Sequence, residues 1–500
     1  MSLNIGLFND AFPPQIDGVA TVVVNYGKYL TEHGYHAVVA TPFAPGADDS
    51  VYNFPVVRYP SLNTTQLIGY RAGMPFDAKA MKQLKDAHFD LLHSHCPFSS
   101  QMLARAIRSR LNIPLIMTYH TKYDIDIANA IKSKMLQESA LKILISNIAA
   151  ADEVWTVSRG AGENLRANGF KGDYLVMPNG VDFPAGRAEN ALIEEVSGKF
   201  SLPEGVPLFL FLGRMMWYKG IRITLDALAE VKKAGCDFRM VFVGGGGDKE
   251  EIIAYTRQLG LTDRVFFDAP IFDREKVRAW YCRADLFLFP STFDTNGLVV
   301  REAAACGLPS VLVGGSCAAE DAEDNVSGFL IEENAGSMAA ALIRLLQKPE
   351  AMKRVGKGAQ ENLYLSWNDA VTHAEHRYET VLENYRAGVY AAHEKPNDTF
   401  FKGIAGVIDI ENQIARTTQQ TMDQFENFIE KATKEAEWQK RFEDYFAEAD
   451  WHLPLQILMK EIRRRTQSDL QTRRAVLRFR KKLDDGEETL EETAQRFFMY

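Results

Sequence analysis

Residues 285–312 read DLFLFPSTFDTNGLVVREAAACGLPSVL, in which two apolar runs flank a polar loop and a helical stretch. Short apolar runs on either side of a helical pattern indicate a βαβ unit, in which a helix joins two parallel strands. In such sheets, ligands bind outside the carboxyl ends of the strands, where loops lead into helices. Two acids occupy this position, Asp294 in the loop and Glu302 on the helix, with seven residues between them. This arrangement predicts a ligand site.

The same alternation of strands and helices runs through most of the chain and occurs in two sets. NIGLF and PLIMTYH belong to the first set and PLFLFLG and FRMVFVG to the second, with a polar stretch near residues 185–205 between them. We therefore predict two doubly wound, Rossmann-like α/β domains that face a cleft, one over 1–196 and one over 197–370. The helix at 371–392 is expected to pack back on the first domain, and the composition of 393–500 predicts a helical extension.

Bulk composition excludes several classes of protein. The chain has 500 residues, 46% of them hydrophobic and 25% charged, which is typical of a soluble globular protein and too long for a single core. Its apolar runs are far shorter than the ~20 residues that span a bilayer, and LNIGLF near the start lacks the features of a signal peptide. We expect a cytoplasmic protein with five reduced cysteines, and its net charge of −9 offers no general attraction to nucleic acid.

The stretch LGRMMWYKGI, residues 212–221, predicts an anion site. An apolar strand ends at Gly213, Arg214 follows directly, and Lys219 lies shortly before a helix. The unpaired N–H groups of a helix N-terminus and the helix dipole add to the charge of the two side chains. A diphosphate fits such a site, although two solvated cations at a turn would produce the same pattern.

The loop of the opening stretch has a related design. Residues 296–299 open the helix, and the missing side chain of Gly297 lets backbone N–H groups approach a phosphate or a sugar closely. Glu302 lies about a turn and a half further along, where its carboxylate could accept two hydrogen bonds from a ribose diol. Asp294, before the helix, could accept hydrogen bonds from sugar hydroxyls.

These residues resemble a known family, the retaining glycosyltransferases of the large GT-B group, family 4. The sequence DTNGLVVREAAACGLPSVL is similar to the family's sugar-nucleotide signature, and LGRMMWYKGI is similar to its diphosphate motif. MPNGVDF at 177–183 and WTVSRGAGENL at 155–165 look like two further blocks, so the resemblance covers roughly residues 1–390. It implies a GT-B fold and transfer of a hexose from a nucleotide diphosphate sugar with retention of the anomeric configuration.

The resemblance also implies roles for individual residues. Residues 8–23 are similar to the family's glycine loop, in which Gly18 would let the backbone approach the diphosphate, and His120 stands where the family has a histidine that touches the transferred sugar. The expected catalytic residues are Asp294, His120, Arg214 and Lys219. The expected donor-binding residues are Gly18, Asn296, Gly297, Leu298, Val299 and Glu302. The nucleotide sugar is then a co-substrate, and no metal or other cofactor is expected.

One position departs from the family, since most members have glutamate where this chain has Asp294. Loss of one methylene displaces the carboxylate by ~1.5 Å, and a misplacement of ~1 Å can lower a rate about 10²-fold. A closer loop, a different sugar preference and weak activity are all consistent with this change.

Within the family, the chain is most similar to bacterial diacylglycerol glucosyltransferases, which act at the membrane surface. This implies UDP-glucose as donor and a lipid such as diacylglycerol as acceptor. Residues 460–483, KEIRRRTQSDLQTRRAVLRFRKKL, intersperse Arg and Lys with apolar residues and could lie on anionic lipid or form a solvated helix. The helix after His120, with Lys132, Lys134 and Lys142, is a second candidate membrane face or an ordinary core helix.

Other functions remain open on the sequence. They are a nucleotide-sugar epimerase, a glycosyltransferase that acts on soluble glycans, and a catalytically weak or silent partner that uses the cleft only for binding. His93, His95 and Cys96 are not followed by a second Cys or His pair at zinc spacing, so they do not predict a metal site.

Overall fold

The computed structural model of the protein describes the following residues: 2–15, 18–65, 71–130, 133–392 and 398. The chain forms two compact units, Met1–Ile131 with Ala140–Arg416 and Lys132–Ser139 with Thr417–Tyr500. Both parallel sheets belong to the first unit. The predicted helical extension over 393–500, apart from Asp398, lies outside the described residues, as do the basic segment at 460–483 and Lys132.

Among the described residues, seven parallel strands form the first sheet, in the order β3-β2-β1-β6-β7-β8-β9. They are β1 Asn4–Phe8, β2 His36–Pro42, β3 Val56–Tyr59, β6 Leu91–Ser94, β7 Leu115–Tyr119, β8 Glu153–Thr156 and β9 Leu175–Val176. An antiparallel pair, β4 Ser61–Leu62 and β5 Ala72–Gly73, lies outside this sheet. The register pairs Leu7 of β1 with Val39 of β2 and with His93 of β6.

In the described part of the chain, six parallel strands form the second sheet, in the order β12-β11-β10-β13-β14-β15. They are β10 Leu208–Leu212, β11 Arg239–Val243, β12 Val265–Asp268, β13 Leu286–Phe289, β14 Ser310–Val313 and β15 Phe329–Ile331. The strand order reverses between β10 and β13. The loops that follow these two strands therefore open side by side, which is where parallel sheets bind ligands.

Helices cover the sheets. In chain order they are α1 Gly18–Glu32, α2 Ala78–Asp86, α3 Ser99–Leu111, α4 Tyr123–Ala130, α5 Lys134–Ala149, α6 Arg159–Ala167, α7 Asn190–Ser197, α8 Ile221–Lys233, α9 Lys249–Gln258, α10 Arg274–Arg283, α11 Leu298–Ala305, α12 Ala335–Leu346, α13 Pro349–Asn362 and α14 Trp367–Arg386. Short 3₁₀ helices span Asp49–Val51, Trp217–Lys219, Cys317–Ala319 and Val389–Ala392. Of the helices within the described ranges, none is both long enough and apolar enough to cross a bilayer.

The central strands β6, β7, β13 and β14 are buried on both faces, as in a parallel sheet covered by helices. Helix α14 follows the second sheet in the chain and yet packs on the first one. Its Trp367 and Tyr378 are buried together with Val22 of α1. The ring of Tyr378 stacks on Trp155 of β8, with 5.6 Å between the ring centroids. The domain boundaries at residues 196 and 370 stay predictions, but α14 shows that the chain returns to the first sheet.

Helix α5 follows the His120 loop and carries Lys134 and Lys142. Leu144, Ile145 and Ile148 on this helix are buried in the core of the first sheet. This packing favours the interpretation of the C-terminal half of α5 as an amphipathic core helix.

Trp367→Ala is predicted to destabilise the protein strongly, because truncating a buried tryptophan costs about 3–5 kcal/mol. Phe272→Ala is the matched control, since Phe272 is 74% exposed and should cost within about 0.5 kcal/mol. Thermal unfolding followed by circular dichroism compares the two variants. Equal midpoints would contradict the assigned packing of α14.

Candidate active site

The backbones of the loops after β10 and β13 approach each other closely at a glycine. Gly220, which precedes α8, has φ +74°, and a Cβ atom at this position would lie 2.2 Å from the carbonyl oxygen of Pro290. Any other residue would have to move the backbone of one loop. This close approach holds Lys219 beside the loop that carries Asp294.

Lys219 and Asp294 form a partly buried ion pair at the junction of these loops. The Nζ atom of Lys219 lies 2.5 Å from Oδ1 of Asp294, and the hydroxyl of Ser291 donates to Oδ2 at 2.6 Å. The aromatic rings of Tyr218, Phe289 and Phe293 surround the ammonium at 5.7–5.9 Å. Sequence reasoning placed both groups at the site but did not predict that they bind each other.

Arg214 is the other predicted cation, and unlike that of Lys219 its side chain has no partner among the described residues. Its side chain is exposed and makes no hydrogen bond or ion pair with any described residue. The backbone beneath it is held by the glycine-rich loop, where a Cβ at Gly244 would lie 2.0 Å from the carbonyl oxygen of Gly213, and one at Gly246 would lie 2.3 Å from that of Met215. The loop at 244–247 thus supports the position of a free guanidinium.

The start of α11 brings together the residues predicted at 296–299. Gly297 has φ +59°, and a Cβ there would lie 2.9 Å from Ala318. The first N–H groups of the helix, at Leu298 and Val299, have no acceptor within the helix. Asn296 is buried, and its Oδ1 accepts from Arg301, whereas its Nδ2 has no partner among the described residues. An unpaired buried amide donor is costly unless a ligand accepts from it.

Glu302 is buried, and both of its carboxylate oxygens already accept hydrogen bonds. Oε1 accepts from the guanidinium of Arg274, and Oε2 accepts from the hydroxyl of Tyr281 at 2.9 Å. Arg274 also lies 3.2 Å from Asp182. Burial raises the pKa of the Glu302 carboxyl, and the charge of Arg274 opposes this shift. A ribose diol would therefore share this carboxylate with two protein donors.

Sequence reasoning missed Arg274 and Tyr281. A signal was present, because both residues lie on α10 seven positions apart and such residues share one face of a helix. Their partner Glu302 is on a different helix, and only the packing of α10 against α11 shows that they meet.

The first sheet contributes His120, which follows β7 and is buried. Its Nε2 lies 3.0 Å from Nδ1 of His95, and its carbonyl oxygen accepts from the hydroxyl of Thr295 at 2.8 Å. Burial lowers the pKa of His120 to about 3, so its ring is neutral near pH 7. The contact with Thr295 places this histidine beside the loop that carries Asp294.

Gly18 is the remaining predicted site residue. It opens α1, it is exposed, and a Cβ at this position would meet no atom within 4 Å. Steric crowding within the protein therefore does not explain a glycine here, and the approach of the backbone to a diphosphate stays a prediction.

Further contacts join the loops of the two sheets. Ser158 donates to the carbonyl oxygen of Thr295 at 2.5 Å, and Lys122 donates to that of Thr292 at 3.4 Å. The carboxylate of Glu320 accepts from the backbone N–H groups of Arg159 and Gly160 at the start of α6. Sequence reasoning assigned no role to Glu320, and no sequence signal links residues so far apart in the chain.

The protein has two parallel sheets covered by helices. An exposed arginine, an ion pair, a helix N-terminus and a buried carboxylate lie at the ends of their strands. This is the architecture of a GT-B glycosyltransferase. In the described ranges, no three His, Cys, Asp or Glu side chains are grouped as metal ligands would be.

Comparisons with known proteins agree with the GT-B glycosyltransferase class. The family model "Glycosyltransferase Family 4" matches residues 16–183, and "Glycosyl transferases group 1" matches residues 193–362. The chain therefore belongs to the family 4, group 1 glycosyltransferases.

Three proteins illustrate the relationship. The chain is 28% identical to alpha-monoglucosyldiacylglycerol synthase of Streptococcus pneumoniae over 68% of its own length and 78% of the relative. It is 30% identical to D-inositol 3-phosphate glycosyltransferase 1 of Catenulispora acidiphila over 60% of its length and 74% of the relative. HepE of Anabaena, solved in complex with UDP, matches with a TM-score of 0.60 and 20% identity, over 76% of this chain and 100% of that chain, which shows the shared fold.

The buried histidines predict a loss of stability in acid. Burial holds the pKa values of His93 and His95 well below their ordinary value and lowers that of His120 to about 3. Below the unfolded value of about 6.5 the unfolded chain binds more protons, so the free energy of unfolding should fall as pH decreases, by about 1.4 kcal/mol per pH unit for each proton. Urea unfolding between pH 4.5 and 7.5 measures this slope.

His95→Asn should reduce the slope by about one proton, whereas substitution of the exposed His36 by Asn serves as the control. A slope that is the same in His95→Asn and in the parent protein would show that His95 is not buried as a neutral ring.

Glu320→Ala is predicted to loosen the contact between the two sheets' loops, because it removes the acceptor of two N–H groups at the start of α6. Charge-assisted bonds of this kind are worth about 1–3 kcal/mol, enough to populate more open forms. Small-angle X-ray scattering should then show a larger radius of gyration. Glu323→Ala, an exposed glutamate on the same loop, should leave the radius unchanged, and equal radii for both variants would refute the prediction.

Proposed function

We propose that the protein is a retaining, metal-independent glucosyltransferase that moves glucose from UDP-glucose to a membrane lipid such as diacylglycerol. The observation that carries this proposal is the partly buried Lys219–Asp294 pair, with the exposed Arg214 on the same loop as Lys219 and the start of α11 shortly after Asp294. A cleft with fixed positive charge and unpaired N–H donors suits a diphosphate whose negative charge grows in the transition state.

Each group has a role in this proposal. Arg214, Lys219 and the first N–H groups of α11 contact the diphosphate, and the unpaired Nδ2 of Asn296 donates to an oxygen of the donor. Glu302 accepts from the ribose hydroxyls beside its bonds to Arg274 and Tyr281. Because fixed cations neutralise the leaving diphosphate, the reaction needs no divalent ion.

The family and the contacts of Asp294 support the proposed retaining course. Its two carboxylate oxygens accept from Lys219 and Ser291, and these bonds reduce the tendency of the carboxylate to attack a sugar. We propose that it accepts from sugar hydroxyls and that the leaving diphosphate takes the proton of the acceptor on the same face. With a pKa of about 3, His120 donates a hydrogen bond to the sugar as a neutral ring rather than acting as an acid.

The acceptor is proposed from the relatives. The name of the Streptococcus pneumoniae relative specifies a glucosyl group and diacylglycerol, whereas the name of the Catenulispora relative specifies inositol 3-phosphate. We favour a lipid acceptor because residues 460–483 combine ten Arg and Lys side chains with interspersed apolar residues, a composition typical of helices that bind membrane surfaces. A silent binding partner is less favoured, since it has no physical reason to retain the paired Lys219 and Asp294 beside a free Arg214.

Release of nucleotide from a panel of nucleotide sugars tests the proposal directly. Vesicles that contain diacylglycerol, soluble inositol 3-phosphate and soluble glycans are compared as acceptors, each with and without a chelator. We expect UDP-glucose and diacylglycerol to support turnover with the chelator present and the α-glucoside to form. Strict dependence on a divalent ion would contradict the mechanism, and turnover with inositol 3-phosphate alone would replace the lipid acceptor.

Flotation with anionic liposomes tests the membrane contact separately. The full chain is expected to float, and a chain that ends at residue 395 is expected to float less. Equal flotation of both would remove the proposed role of 460–483.

Arg214→Ala should lower kcat about 10²- to 10³-fold, by analogy with the loss of one donor to a developing charge. Because this side chain is exposed and unpaired, the thermal midpoint should not change. Arg257→Ala, which removes an exposed cation on α9, is the matched control and should keep full activity. A normal kcat in Arg214→Ala would show that the diphosphate binds elsewhere.

A further inference from the structure

Three histidines lie together at the carboxyl ends of β6 and β7. His93 is in β6, His95 follows that strand, and His120 follows β7. All three are buried. Their rings have different hydrogen-bond partners. These partners determine which ring nitrogen of each histidine carries the proton.

His93 is satisfied on both ring nitrogens. Its Nδ1 lies 2.7 Å from the hydroxyl of Tyr378, and its Nε2 lies 2.6 Å from the hydroxyl of Thr118. The ring of His95 packs against this ring, with 4.0 Å between centroids, and against the ring of Tyr26, with 5.2 Å between centroids. His95 therefore has little freedom to turn.

The ring of His95 has one hydrogen-bond partner in the described part of the chain. Its Nδ1 lies 3.0 Å from Nε2 of His120, whereas its own Nε2 is buried and without a partner. The Nδ1 atom of His120 makes no hydrogen bond with any described residue, so the contact with His95 is the hydrogen bond that this ring makes in the described part of the chain.

A neutral imidazole carries one proton, so only two arrangements of this pair are possible. If His120 donated its Nε2–H to His95, the single proton of His95 would be on its buried and unpartnered Nε2. If His95 donates its Nδ1–H instead, that Nε2 has only a free lone pair. Buried N–H groups without an acceptor are rarer in native proteins than acceptors that lack a donor, which favours donation by His95.

We propose that His95 is a positioning residue that donates Nδ1–H to Nε2 of His120 and thereby keeps the proton of His120 on Nδ1, the other ring nitrogen. Nδ1 of His120 then carries an N–H donor and has no lone pair available. The inference rests on the proposed function in one respect, namely that His120 contacts the transferred sugar. Its consequence is that His120 donates a hydrogen bond to a sugar oxygen and cannot accept a proton from one.

Nitrogen-15 NMR of the full chain labelled at the histidine rings tests the tautomer without any substrate. The expected result is a His120 signal pattern of the neutral ring with its proton on Nδ1. The doubly protonated imidazolium should not appear between pH 6 and 8. Assignment uses the loss of the His120 signals in His120→Asn. A pattern with the proton on Nε2 of His120 would overturn the proposal.

Substitutions at His95 test the effect on catalysis. In His95→Asn the amide nitrogen is as many bonds from Cβ as Nδ1 is, so the donor to His120 is kept. In His95→Gln the amide nitrogen lies one bond further out, and His95→Leu has no donor. We expect kcat to fall about 10- to 100-fold in the Gln and Leu variants, as when a residue that orients a histidine is removed, while kcat in the Asn variant stays close to the parent value.

The Michaelis constant for the donor should change little in all three variants, since a hydrogen bond that orients His120 acts mainly on the chemical step. If His95 had only a structural role, kcat would fall with the amount of side-chain packing that is lost, and the Asn variant would be as impaired as the Leu variant. That result would refute the proposal. If no acceptor supports turnover, the proposed function fails, and the NMR result still decides the tautomer. If His95→Leu does not fold, the comparison of Asn with Gln decides the catalytic effect.

Discussion

The ion pair between Lys219 and Asp294 is the interaction on which the site depends. It joins the carboxyl ends of β10 and β13, the two strands between which the sheet order reverses. Taking two charges out of water is costly, and the attraction offsets this cost only when the geometry is good and the remaining atoms are bonded. Ser291 and three aromatic rings meet that condition here. The pair therefore keeps a cation and a carboxylate in place before any ligand arrives.

The same loop also connects the two sheets. Thr295, immediately after Asp294, donates to the carbonyl oxygen of His120 and accepts from Ser158. A residue of the second sheet's loop is thus bonded to the ends of two strands of the first sheet. Because Asp294, Thr295 and Asn296 are consecutive, the groups proposed to contact the sugar and those that join the sheets cannot move independently. A change in the distance between the sheets would alter the site.

Asp294, where most members of the family have glutamate, is held by two protein donors. The shorter Asp294 side chain is held by Lys219 and Ser291, close to the loop of β10. Glu302 is held in a comparable way by Arg274 and Tyr281. Both acids of the signature are therefore oriented by protein donors, and a nucleotide sugar would meet carboxylates that are already fixed. Preorganised groups of this kind stabilise a transition state without rearranging during the reaction.

The sequence by itself determined the alternation of strands and helices and the two loops that carry Arg214, Lys219, Asp294 and 296–299. These features are local, because they depend on hydrophobic periodicity and on glycines next to strand ends. The GT-B class was indicated by the resemblance of the sequence to a known family. The tertiary structure alone decided that Lys219 binds Asp294 and that Arg274 binds Glu302. It also decided that Glu320 caps α6 and that His95 binds His120. These partners lie on different elements, so their contacts exist only after packing brings the side chains together, and no spacing along the chain encodes them.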